Sequence, residues 1–291
     1  MCQAQIVQTK LEDRAGRPII LQAIKTRADT QSETPLVAMS GEGVFVKELE
    51  AALLDGRIDC AVHSLKDLPL ATPRKLRLAA VLEREEPRDA VVSRSGEAFD
   101  ELPSAAAIGT SSLRRRSQLL FRRRDVRMVE IRGNVDTRLR KLDDGRYDAV
   151  VVAACGLIRL GLEARITEYL DPAVMLPEPG QGALAVEARA DDRETLELLA
   201  GLDDPMSRAC VDAERAMLGA LGGGCRVPIG ALGSCTEGIL ELTGAVIAPD
   251  GHEKVSATMT GVMTEPVALG RRLAEELLSQ GAEYLLKDLK R

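Results

Sequence analysis

The stretch "AAIGTSSLRRRSQLLFRRRDVRMVEIRGNVDTRLRKLDDGRYDAVVVAA", residues 106–154, decides the fold class because two kinds of pattern alternate in it. Short runs rich in β-branched and small apolar residues predict strands, and the amphipathic runs between them predict helices. The expected strands are residues 106–110, 127–131 and 148–154, and the expected helices are residues 112–124 and 134–144. Strands that alternate with helices are typical of βαβ units and a parallel sheet. The stretch therefore predicts an α/β domain.

The rest of the chain continues this pattern and then changes after residue 204. Further α/β elements are expected as strands at 17–26, 57–64 and 182–188 and helices at 44–56 and 191–202. A helix at 205–221, a hairpin at 239–261 around Pro249-Asp250-Gly251 and a helix at 265–280 predict a small α+β domain. The predicted domains are domain 1 (1–84 and 182–202), domain 2 (88–177) and domain 3 (205–291).

Composition excludes several classes of function. A net charge of −6 and an aromatic content of 2% argue against a nucleic-acid partner. No apolar run approaches the roughly 18 residues of a membrane-spanning helix. The six cysteines are dispersed without a C-x-x-C pair, and there are only two histidines, so a metal site is poorly supported and a reducing compartment is favoured. We therefore expect a cytoplasmic, monomeric protein without a metal, nucleic-acid or membrane partner.

Two segments are typical of anion-binding sites. "IGTSSLRRRSQ" (108–118) and "IRGNVDTRLRKL" (131–142) each predict a strand, a short turn and a helix start, where free N–H groups and the helix dipole attract anions. The arginines at these junctions are favoured as ligand-binding over a solvated basic face; they are Arg114, Arg115, Arg132 and Arg138. For residues 122–124 the solvated face is the better interpretation. The ligand implied is small and carries several negative groups, and the absence of a Walker pattern disfavours a nucleotide.

Two further motifs leave alternatives open on residue type alone. "HSLKDLP" (63–69) places Lys66 and Asp67 at the end of a predicted strand, which suits either a cleft or an ordinary turn. "LGGGCRVPIG" (221–230) places Cys225 behind three glycines. Cys225 is either a small apolar residue in a turn or a thiol to which a bulky group is attached.

Taken in order, the segments resemble the porphobilinogen deaminase family, also called hydroxymethylbilane synthases. The matching segments run from about residue 41 to residue 233 and read "GVFVKELEAAL", "DCAVHSLKDLP", "EREEPRDAVVS", "IGTSSLRRRSQL", "IRGNVDTRLRKLD", "YDAVVVAACGLIRLGL", "LPEPGQGALAVEAR" and "AERAMLGALGGGCRVPIG". The resemblance implies an α/β fold of two doubly wound domains resembling type-2 periplasmic binding proteins, plus a small C-terminal α+β domain.

The resemblance also implies a reaction. A dipyrromethane cofactor, made from the substrate, is attached through a thioether to Cys225. Four porphobilinogen molecules are condensed head to tail with loss of ammonia, and water releases the linear tetrapyrrole. By motif, Asp67 is the catalytic carboxylate, and it is expected to contact the cofactor together with Lys66, Ser112, Arg114, Arg115 and Arg132. The expected substrate-binding residues are Arg138, Arg165, Gln181 and Arg215.

Two departures from the family pattern lead to a second hypothesis. Glu42 stands where the family loop usually has a lysine, and the chain begins "MCQAQIVQ", at the end of the family's first-strand motif. We expect the chain as written to be poorly stable and nearly inactive, with an upstream stretch in the natural gene. The alternative function is a non-catalytic binder of polycarboxylate or pyrrole ligands.

Overall fold

A computed structural model describes residues 1–24, 46–223 and 227–287. The chain divides into two compact units, Met1–Glu85 with Ala183–Arg208 and Glu86–Gly182 with Ala209–Arg291. The strands are β1 (Cys60–Ser64), β2 (Leu76–Val81), β3 (Asp89–Ser93), β4 (Ala107–Gly109), β5 (Arg127–Val129), β6 (Ala149–Ala153), β7 (Glu168–Tyr169), β8 (Leu184–Arg189), β9 (Ile229–Thr236), β10 (Ile239–Ile247) and β11 (Lys254–Val262). The helices are α1 (Cys2–Ala15), α2 (Lys47–Leu54), α3 (Leu113–Arg122), α4 (Val135–Asp143), α5 (Ala154–Arg159), α6 (Arg193–Ala200), α7 (Pro205–Ala220), α8 (Pro266–Ser279) and α9 (Ala282–Lys287).

The first unit contains a three-stranded sheet in the order β1-β8-β2. Apolar residues of α1 pack with β8, and the buried members of this core include Val7, Leu11, Leu184, Val186 and Leu199. A second cluster joins Leu53 of α2 to Ala61 of β1 and to Leu76. Both strand pairs of this sheet are antiparallel, so the expected parallel pairing is wrong here.

The predicted strand at 17–26 is also wrong in the part that the structure describes, where no strand forms. Side chains of α1 form hydrogen bonds with the backbone N–H and carbonyl groups that would otherwise pair with a neighbouring strand. The N–H of Ile19 donates to Glu12 Oε1 at 2.9 Å, and Gln8 Nε2 donates to the Ile19 carbonyl at 2.7 Å. Ile20 is 91% exposed, so Ile19 and Ile20 do not belong to a buried strand.

The second unit carries the five-stranded sheet β5-β4-β6-β3-β7. The pairs β4–β5 and β4–β6 are parallel, as residues 106–154 predict, whereas β3 pairs antiparallel with β6 and β7. Alternate residues of the strands face two separate cores. One core includes Val91, Ile108, Leu119 and Val151, and the other includes Ile131, Leu142, Val150 and Val152.

The C-terminal part of the second unit is the expected α+β structure. Strands β9, β10 and β11 form an antiparallel sheet, and the predicted hairpin joins β10 to β11. Helices α7 and α8 contribute Met217 and Leu273 to a core shared with Leu242 and Val246 of β10. The fold class is therefore confirmed as mixed α/β with a small α+β domain, and the division into three domains stays a prediction. No helix in the described ranges is long and apolar enough to cross a membrane.

Candidate functional site

The first anion-binding segment folds as the sequence predicts. Strand β4 ends at Gly109, and Ser112 is the N-cap of α3, with its side chain accepting the N–H of Arg115 at 3.4 Å. The hydroxyl of Ser111 bonds the Ile131 carbonyl at 2.5 Å and so links this turn to the segment after β5. The helix start consequently fixes Arg114 and Arg115 in its first turn.

Asp89, at the start of β3, holds both of these arginines. Its carboxylate is fully buried, with Arg114 Nη1 2.6 Å from Oδ2 and Arg115 Nε 2.9 Å from Oδ1. Burial alone would raise the pKa of Asp89, but the two guanidinium charges and their hydrogen bonds outweigh it and hold that pKa well below its usual range. Two buried positive charges therefore share one buried negative charge, which leaves an excess positive charge within this group of three side chains.

Gln181 completes this network. Its side chain is fully buried, and its Nε2 donates to Asp89 Oδ1 at 3.0 Å and to the Pro87 carbonyl at 2.8 Å. Its Oε1 lies 3.5 Å from Arg115 Nη2. The carbonyl of Leu176 accepts a second hydrogen bond from Arg114 Nη1 at 2.8 Å. These contacts connect residues 176–181 with the arginines.

Part of the Arg114 guanidinium has no partner among the residues that the structure describes. Nε and Nη2 of Arg114 are buried, and within the part of the chain that the structure describes neither makes a hydrogen bond. A buried polar group without a partner costs about 1–3 kcal/mol, and more when it is charged. A carboxylate ligand is the group that matches these two donors, because its two oxygens can accept side by side from Nε and Nη2 of one guanidinium.

The second segment brings two further arginines to the same region. Asn134 caps α4 by accepting the N–H of Thr137 at 2.9 Å, and Arg138 Nε donates to the Gly133 carbonyl at 2.8 Å. Burial and then the nearby charges of Arg115 and Arg132 lower the pKa of Arg138 to about 10. Arg115 and Arg132 therefore act electrostatically on Arg138, and a polyanion that binds near these residues would relieve this repulsion.

Arg132 pairs with a carboxylate that is close to it in the sequence. Its Nη2 lies 2.5 Å from Glu130 Oε1. Glu130 is largely exposed, so the pair is open to exchange with a ligand carboxylate. We name as the arginine cluster the four residues Arg114, Arg115, Arg132 and Arg138.

The other predicted site residues belong to other elements of the chain. Lys66 and Asp67 belong to a 3₁₀ turn after β1 in the first unit, with Asp67 exposed and Lys66 half-buried. Arg165 pairs with Asp143 at 2.6 Å, and Arg215 is half-buried on α7. Cys225 and Glu42 fall outside the described residues.

Sequence reasoning missed three buried or half-buried residues of the second unit. Asp89 stands in the segment "EREEPRDAVVS", and the only local signal for it is that a carboxylate is an unusual residue at the start of an apolar strand. Arg159 on α5 donates to the Gly182 carbonyl at 2.9 Å. Glu214 on α7 is fully buried and carries no local signal in the sequence.

Comparison with known proteins gives the family. The model of the porphobilinogen deaminase dipyrromethane cofactor binding domain matches residues 1–197, and the model of the porphobilinogen deaminase C-terminal domain matches residues 208–279. The chain belongs to the porphobilinogen deaminase family.

Curated relatives of this family align over nearly the whole chain. The porphobilinogen deaminase of Roseiflexus sp. (strain RS-1) is 48% identical over 98% of this chain and 94% of its own length. The porphobilinogen deaminase of Roseiflexus castenholzii is 50% identical over 93% of this chain and 89% of its own length. That of Syntrophobacter fumaroxidans is 45% identical over 95% of this chain and 89% of its own length. The resemblance read from the motifs is confirmed.

Solved structures that match this chain are much more distant. The VFT2 domain of Bordetella pertussis BvgS is 19% identical, with a TM-score of 0.40 over 68% of this chain and 76% of that domain. The second substrate binding domain of a putative amino acid ABC transporter from Streptococcus pneumoniae is 11% identical, with a TM-score of 0.43 over 76% and 84%.

Proposed function

We propose that this chain assembles a linear tetrapyrrole from porphobilinogen on a dipyrromethane that is covalently bound to Cys225. The family makes it a transferase, a hydroxymethylbilane synthase with a dipyrromethane cofactor. When bound, the dipyrromethane supplies the free pyrrole carbon to which the substrate units are joined. The observation that carries the site assignment is the pair of buried, unpartnered donors on Arg114.

The arginine cluster is proposed to bind the acetate and propionate groups of the pyrroles. Its buried members cannot be satisfied by bulk water, and Asp89 neutralises only one of two charges. Arg114, Arg115 and Arg132, with Ser112, are assigned to the cofactor. Arg138, Arg165, Arg215 and Gln181 are assigned to substrate units. The residues present therefore fit a ligand that carries several carboxylates.

Asp67 is proposed to stabilise the positive charge that develops on a pyrrole as ammonia leaves. A carboxylate can accept the pyrrole N–H and oppose that charge throughout the reaction. Its turn is well anchored, because Leu65 is fully buried and its N–H donates to the Ala183 carbonyl at 3.0 Å. Lys66, the neighbour of Asp67, is assigned to a cofactor carboxylate.

Cys225 is proposed to form the thioether because a thiolate is a strong nucleophile and the preceding glycines let a bulky group approach. A cytoplasmic, monomeric enzyme without a metal, nucleic-acid or membrane partner is part of the same proposal. It is supported by the dispersed cysteines and by the net charge of −6.

The test is a peptide map of protein purified from cells that make porphyrins. We expect a dipyrromethane adduct on the peptide that contains Cys225. Cys225→Ser should lose the adduct and the activity. Cys235→Ser, a free and half-buried cysteine of β9, should keep both. Active protein with an unmodified Cys225 would contradict the assignment.

A further inference from the structure

Glu214 of α7 joins three separate segments of the second unit through its buried carboxylate. The side chain is fully buried. Its Oε2 accepts the N–H of Gly180 at 2.7 Å, and its Oε1 accepts the N–H of Gly233 in β9 at 2.7 Å. Hydrogen bonds from backbone N–H groups to a carboxylate are about twice as strong as neutral ones.

The segment that Glu214 holds, residues 176–182, also contacts the arginine cluster. The Leu176 carbonyl accepts from Arg114 Nη1 at 2.8 Å and from Gln118 Nε2 at 2.9 Å. Gln181 reaches Asp89 at 3.0 Å. Any displacement of this segment would therefore move the acceptors that position Arg114 and Arg115.

The same segment packs directly on the C-terminal sheet. The Ala231 N–H donates to the Pro177 carbonyl at 2.9 Å. A Cβ at Gly230 would lie 2.6 Å from the Leu176 Cβ, so only glycine lets β9 and this segment come so close. Residues 176–182 are consequently held between the arginine cluster and the sheet that α7 covers.

We propose that Glu214 is a positioning residue that fixes the arginine cluster relative to the helix leading to the cofactor cysteine. Helix α7 ends at Ala220, five residues before Cys225. A cofactor attached at Cys225 and bound through its carboxylates by the arginines would be held at both ends, and Glu214 fixes residues 176–182, which contact the arginines, to the helix that precedes this cysteine in the chain. This inference rests on the proposed attachment at Cys225.

The test is Glu214→Gln, which keeps the size of the side chain but turns an NH₂ donor toward one of the two N–H groups. Misplacement of reacting groups by about 1 Å can cost about a hundredfold in rate. We expect kcat, per cofactor-loaded molecule, to fall at least about tenfold, with KM changing less than about threefold, because the arginines keep their Asp89 partner. Glu241→Gln, an exposed glutamate of β10 in the same unit, is the matched control and should change neither.

A second measurement reports the hydrogen bond between Glu214 and Gly180 independently of activity. Hydrogen exchange followed by mass spectrometry should show faster exchange of the Gly180 amide in Glu214→Gln than in wild type or Glu241→Gln. If Glu214→Gln does not fold, Glu214→Asp is measured in the same two ways, since it keeps the charge but cannot reach both N–H groups.

The outcomes separate this inference from the proposed function. Unchanged kcat per loaded molecule, or unchanged exchange at Gly180, would overturn the role of Glu214, even if the melting temperature falls. If the wild-type cofactor maps to a residue other than Cys225, the proposed attachment is wrong, and so is the positioning role of Glu214 that rests on it. Slow turnover and faster Gly180 exchange in Glu214→Gln, together with a cofactor on Cys225, support both the positioning role of Glu214 and the proposed attachment.

Discussion

Asp89 is the residue on which the arginine cluster depends, because its one carboxylate neutralises part of the charge of Arg114 and Arg115. Removing one partner of a buried ion pair typically costs about 3–5 kcal/mol, since the remaining charge stays buried. Asp89→Asn should therefore lower the urea midpoint of the second unit strongly. Asp100→Asn, which removes a largely exposed partner of Arg122, is the control and should change the midpoint little. Equal effects of the two substitutions would contradict the role of Asp89.

The same carboxylate predicts a pH dependence of stability. The folded-state pKa of Asp89 is depressed, so its contribution is fully present above the unfolded pKa of about 3.9 and is lost as the pH falls through the folded pKa. Wild type should lose stability steeply below about pH 4, and Asp89→Asn should have a flatter profile over that window. Urea titrations at stepped pH measure both profiles, and parallel curves would exclude a dominant role for Asp89.

Asp67 is exposed, so its replacement should spare the fold and reduce the chemistry. A preorganised charge near the reacting atoms is worth about a hundredfold or more in rate. We expect Asp67→Asn to keep the melting temperature of wild type and to lose at least that factor in kcat. Asp13→Asn, an exposed aspartate of α1 in the same unit, should retain full turnover. Near-normal turnover by Asp67→Asn would show that another group stabilises the cation.

At the scale of elements, the β10–β11 turn packs tightly on α3. Gly251 has φ +73, and an added Cβ would lie 2.5 Å from the backbone nitrogen of Phe121. Gly238 also has a positive φ, of +79, but an added Cβ there meets nothing within 4 Å. Overpacking costs about 1–3 kcal/mol beyond the backbone strain that both sites share. Gly251→Ala should therefore melt several degrees below Gly238→Ala, and coincident melting curves would contradict this packing.

Elements with strong local periodicity and the pairing of strands close together in the chain were predictable, whereas pairing between strands remote in the chain was not. The β4–α3–β5–α4–β6 order follows from alternating patterns within residues 106–154, because each element buries one face or both. The antiparallel direction of β8 beside β1 depends on a partner more than a hundred residues away. Ile19 and Ile20 have strand propensity, yet side chains of α1 form hydrogen bonds with the Ile19 backbone. A local sequence pattern does not reveal these bonds.

The candidate site was predictable to a similar degree. Arg114, Arg115, Arg132 and Arg138 were found because glycine turns and helix starts mark anion sites locally. Asp89 was missed because its partners lie 25 and 26 residues away in the chain. Glu214 was missed because its carboxylate accepts hydrogen bonds from backbone N–H groups of two remote segments, and such donors leave no trace in residue type.

At the scale of the whole molecule, an acidic chain concentrates basic groups in one part of its second unit. The net charge is −6, yet the second unit places four arginines within mutual electrostatic reach or on one shared carboxylate. Local charge of this kind attracts a small polycarboxylate without general affinity for nucleic acids. It accords with membership of the porphobilinogen deaminase family and with stepwise assembly from substrates that carry two carboxylates each.

We propose that substrate units are joined one at a time to a group bound covalently to this chain. The direct measurement is the intact mass of the denatured protein after mixing with a few equivalents of porphobilinogen. We expect a ladder above the mass of the cofactor-loaded chain, with steps equal to porphobilinogen less ammonia, that collapses to the loaded mass as the linear tetrapyrrole is released. A single mass that does not change while porphobilinogen is consumed would contradict the account.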